Sequence, residues 1–126
     1  MILELLVYGV IGLLIVTKLL DALSTLARIR HVNAETNPFA RGLMHRLGTQ
    51  RTVWLVFILA AAIISVAGFA ALRGGPLMQI AFIIAGFAAA VVQAAVAHAN
   101  WTGSDNRITL KVRALYALLG RRPEQY

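Results

Sequence analysis

Four polar residues interrupt the first hydrophobic stretch. Lys18, Asp21, Thr25 and Arg28 follow one another at three, four and three residues. On a helix that spacing puts them on roughly one face. A carboxylate within or at the edge of a membrane span costs about 2.5–3.5 kcal/mol at mid-bilayer unless partnered, and marks a functional candidate. The chemistry such a cluster offers is binding of an ion, a proton or a lipid headgroup. His98, at the end of the third stretch, is a further candidate that can meet Asp21 across a bundle. The plainer reading is an interfacial Lys18–Asp21 pair, with the lysine stem in lipid and Asp21 holding Arg28 or a loop amide. Glu4, Ile11, Lys18 and Thr25 are spaced by seven and share a face. The apolar Ile11 and Leu14 break any water path along it, so Glu4 reads as a surface residue.

A metal centre is not expected. His31, His45 and His98, with Asp21 and Glu35, show no metal-ligand spacing, and the chain has no cysteine. No cofactor is expected either. A lone histidine at a helix end can ligate haem or chlorin, but it reads better as an interfacial or hydrogen-bonded residue. Bound lipid is expected. Nucleophile-elbow, phosphate-loop and dinucleotide-binding motifs are absent, so the expectation is not an enzyme. A headgroup-acting enzyme using Asp21, Glu35 and His98 is the least favoured alternative.

The elements that carry these residues follow from composition. Of 126 residues, 60% are hydrophobic and 13% charged, with a net charge of +7. A soluble domain carries about 25% charged residues. Three apolar runs account for the deficit: about 2–27, 52–72 and 77–99. Each is long enough for the ~20 residues a span needs. The first lacks the basic start and small-residue cleavage site of a signal peptide and is expected to remain as a helix. Only Arg73-Gly74-Gly75-Pro76 separates the second and third, which predicts a tight antiparallel hairpin. The fold class is therefore all-α: an integral membrane bundle of three transmembrane helices in one domain, with one or two interfacial amphipathic helices. Those are predicted over about 38–47 and 105–119. Asn37 and Pro38 start the first, with Phe39, Leu43 and Leu47 as its stripe and Gly48 as its stop. Ser104 or Asp105 caps the second, with Ile108, Val112, Leu115 and Leu119 as its stripe.

Basic residues cluster between the first and second runs and after the third. Both regions lie on one side of a three-span chain, so the positive-inside rule predicts the N-terminus outside and the C-terminus inside, as in a prokaryotic cytoplasmic membrane. The basic side would meet anionic lipid of the inner leaflet. Nucleic acid is not an expected partner, because three spans would serve no purpose there. Trp54 and Trp101 suit interfacial anchoring. In the third run Gln79, Gly86, Gln93 and Asn100 are spaced by seven, with Ala90 and Ala97 on the same side. That is a helix-packing seam whose partner is either the first helix or another subunit.

Asp21-x2-Ser24-Thr25 followed by Glu35-x-Asn37-Pro38-x-Ala40-Arg41 resembles a family of small prokaryotic multi-span membrane proteins of unknown function. The resemblance covers residues 15–50. It implies a multi-span helical fold, with more helices in many members, and no activity. The function expected is a non-enzymatic structural or accessory membrane subunit acting through helix association, as a homo-oligomer or in a larger complex. The alternative is a homo-oligomeric channel or transporter using Asp21 and Lys18.

Overall fold

The computed structural model describes residues 1–28, 38–103 and 107–120, with the side chains of these apart from Arg28 and residues 38–41. Helix α1 runs Ile2–Arg28, α2 Pro38–Leu47, α3 Thr49–Arg73, α4 Pro76–Thr102 and α5 Arg107–Leu119. No strand occurs among the described residues. Three of these helices, α1, α3 and α4, are long and apolar enough to cross a membrane. At about 1.5 Å per residue each reaches roughly 38–40 Å, more than the ~30 Å hydrocarbon core. Both α3 and α4 outrun the apolar stretches expected for them: α3 starts at Thr49 and α4 continues to Thr102. Helix formation needs only a satisfied backbone, so it does not stop where the apolar run stops.

The turn between α3 and α4 is as short as the sequence predicts. The Gly74 amide donates to Ala71 O at 3.1 Å, and Pro76 opens α4 in its first turn. Gly75 sits at φ 86°, where a side chain would be strained. Yet α3 and α4 pack less against each other than either packs against α1, and α1 packs most extensively on α4. The close approaches explain this. A Cβ at Gly86 would overlap Val10, and one at Gly68 would overlap Ile11. Both glycines thus open a groove for α1, and α1 occupies the centre.

Two apolar clusters hold the bundle. Towards the Gly-Gly turn, Val10, Leu14 and Ala90 pack with Ile64, Phe82 and Ile83. At the other end, Ala22, Met44 and Val53 pack with Leu26 and Phe57. Met44 is what docks α2. The stripe expected for α2 behaves differently: Leu43 is half-buried and Leu47 exposed. Gly48 alone links α2 to α3, at φ 90°, donating to Met44 O and accepting from the Thr52 amide. The caps expected from Asn37, Ser104 and Asp105 lie outside the described residues.

Candidate functional site: a polar seam between α1 and α4

Several polar side chains of α1 and α4 meet along the interface between them. Thr17 Oγ1 is 2.7 Å from Gln93 Oε1 and 2.9 Å from Leu13 O. A hydroxyl has one hydrogen. It donates to Gln93, or it back-bonds to Leu13 and a turned-over carboxamide donates Nε2–H to the hydroxyl oxygen. Both arrangements keep the two helices bonded. One heptad on, Asn100 Nδ2 donates to Ser24 Oγ and Thr25 Oγ1, each at 3.3 Å. Ser24, fully buried, donates to Asp21 O at 2.9 Å.

The seam has a constant register. Thr17–Gln93 and Ser24–Asn100 are each 76 residues apart in sequence. Val10, which faces Gly86, has the same separation. Helices α1 and α4 therefore run parallel, and a seven-residue repeat on one matches a seven-residue repeat on the other. That is the side-by-side geometry of left-handed helix pairs. Helix α3 runs antiparallel: Gly68 faces Ile11, and Val53 shares a cluster with Ala22 and Leu26. This register brings Trp54 of α3 and Trp101 of α4 to one height, level with Thr25.

Lys18 Nζ donates to Asp21 Oδ2 at 3.0 Å, with the two side chains 19% and 17% exposed. Asp21 lies one turn beyond Thr17, on the α4 side of α1. Lys18 lies two turns beyond Ile11, on the α3 side. The pair thus bridges the two faces of α1 that its neighbours cover.

The residues singled out in the sequence separate accordingly. Lys18 and Asp21 are together, whereas Thr25 bonds to Asn100 of the seam. Arg28 closes α1, but its side chain is outside the described residues. His98 stands near Asp21 in height, but its side chain is exposed, and the carboxylate is paired with Lys18 instead. Ala90 and Ala97 are buried. Gln79 is buried and donates to Leu72 O at 3.4 Å, tying the start of α4 to the end of α3. Gly86 and Gln93 face α1, so α1 is the partner that the seam had left open. Sequence reasoning missed Thr17 and Ser24 as its other half. The signal was present: Leu3, Val10, Thr17 and Ser24 form a seven-residue series in step with Gln79, Gly86, Gln93 and Asn100. The neighbouring series through Lys18 drew attention because it carries charge. Among the described residues, the fully buried Thr52 Oγ1 has no hydrogen-bond partner.

The arrangement can hold helices in register and keep an ion pair among them. No family model matches the chain, and no curated protein or solved structure is similar to it. The class is defined by the fold: an all-α membrane protein with, among the described residues, three helices able to span a membrane and two short ones.

Proposed function

We propose that this is a small non-enzymatic integral membrane protein, a structural or accessory subunit that works by helix association. One observation carries the reading: the polar groups of the α1–α4 seam, and the ion pair beside it, are spent on one another. Thr17 serves Gln93, Asn100 serves Ser24 and Thr25, and Lys18 serves Asp21. That is the chemistry of a fixed bundle. With the seam consumed within the chain, contacts with other subunits fall to the outward faces. Those faces carry Gly9 and Gly12, where a side chain would meet only open space, and the large residues Leu13, Val16, Ile63 and Val66.

A homo-oligomeric channel or transporter is the second reading, favoured by the depth of the ion pair. Helix α3 is free of charge between Arg51 and Arg73, about 32 Å at ~1.5 Å per residue. With the two tryptophans marking one interface, Asp21 lies about 6 Å and Lys18 about 10 Å to the core side of it. An incompletely covered ion pair at that depth suits a ring of chains enclosing a path.

The deciding experiment is the mass and composition of the particle in nanodiscs. An accessory subunit gives a fixed stoichiometry with copies or with other chains, and its Asp21→Asn variant leaves ion flux in liposomes unchanged. A closed ring of identical chains whose flux changes in Asp21→Asn supports the second reading. A lone monomer defeats both.

A further inference from the structure

Helix α5 follows α4 beyond the Gly103 cap, starting at Arg107 where α4 ends at Thr102. It docks through one face: Thr109 is buried, and Ile108, Val112 and Tyr116 are half-buried. The stripe expected from the sequence is therefore split. Ile108 and Val112 turn towards the bundle, while Leu115 and Leu119 stay exposed. The free side carries Leu110, Leu115, Leu118 and Leu119, each between 55% and 69% exposed. Arg107 and Lys111 are exposed among them. Cations occupy the first half of the helix and leucines dominate the second. The helix contains no acid.

We propose that this face of α5 is seated on an anionic lipid leaflet, with Arg107 and Lys111 on phosphate groups and the C-terminal leucines among acyl chains. Two features select this occupant. First, the face needs an apolar cover and a negative countercharge together, and an anionic bilayer surface offers both. A second copy of α5 would offer apolar cover but no carboxylate for Arg107 and Lys111. Secondly, the leaflet is already adjacent. Trp101, 58% exposed, stands level with Trp54 at the same end, where a tryptophan belt marks the headgroup boundary. Exposed Arg46 and Arg51 extend the positive surface at that end.

The absence of native cysteine makes the test direct. Leu118→Cys in the full chain takes one environment-sensitive dye. The labelled protein is placed in nanodiscs of phosphatidylcholine alone or with added phosphatidylglycerol, each with and without acyl-chain-brominated lipid. Bromolipid should quench the dye, more strongly in the anionic discs. Arg107→Gln and Lys111→Gln should each lower the ratio of lipid-seated to water-exposed α5 about fivefold. A repeat with the dye at Leu110→Cys guards against a local effect of one substitution. Three results overturn the proposal: a dye that stays water-exposed in both discs, quenching indifferent to phosphatidylglycerol, or a dye shielded only when discs hold two or more copies.

Discussion

At Gly86 a Cβ would run into Val10 and lie 3.2 Å from Leu14 Cδ1, whereas at Gly9 it would meet nothing within 4 Å. The same substitution therefore has opposite expected outcomes. Gly86→Ala pushes α4 off α1 and should destabilise the bundle by about 1–3 kcal/mol, as overpacking does. Gly9→Ala removes a flexible residue from a helix interior and should leave the isolated bundle unchanged or up to about 1 kcal/mol more stable. Reversible unfolding of the monomeric protein in detergent measures both. Equal losses from the two would mean that Gly86 does not set the α1–α4 approach. Gly9→Ala also bears on association: a drop in oligomer content without a drop in bundle stability would place a partner on that face of α1.

Between elements, the seam works by pairing two seven-residue series at one register. Thr17 and Gln93 make its shortest bond, at 2.7 Å. Polar contacts of this kind in membranes couple by about 0.6 kcal/mol on average and ~1.7 at most. A double-mutant cycle of Thr17→Val and Gln93→Leu should give a coupling in that range. Thr17→Val paired with Gln79→Leu should give none, because Gln79 bonds instead to the α3 end at Leu72. A coupling near zero for the first pair would leave shape alone holding the register. The seam also explains why α3 and α4 diverge after so short a turn. Each presents its glycine to α1, so the helix that comes first in the chain is packed between the two that follow.

For the whole molecule, the spans and the turn were legible in the sequence because membrane crossing is a demand on length and composition alone. Arg51, Arg73 and the Gly-Gly-Pro sequence state that demand openly. Which helix faces which was not legible. Gln93 needs a hydrogen-bond partner, but its spacing does not say whether Thr17 or another chain supplies it. Nor could spacing reveal that His98 turns outward, although the three-residue spacing did offer the Lys18–Asp21 pair that forms. The partner of Gln93 and the direction of His98 are choices among neighbours that a helical wheel does not contain. Topology is a matter of charge: the α2 and α5 end is the basic end, and the positive-inside rule predicts that it faces the cytoplasm. A reporter fused after Tyr126 in a bacterial host should read cytoplasmic. An external reading would reverse the orientation and remove the anionic inner leaflet as the surface available to α5.

The 76-residue separation between seam partners also sets an order of events during synthesis. At ~5–20 residues per second, α1 emerges about 4–15 s before Gln93 and Asn100 exist. Its polar groups must wait in an apolar environment, and several have a partner within their own helix for the interval. Thr17 reaches Leu13 O, Ser24 reaches Asp21 O, and Lys18 reaches Asp21. Helix α4 has no such provision for Gln93. Its carboxamide arrives needing a bond and finds one already poised on α1, so the last span to be made is the one that selects its place.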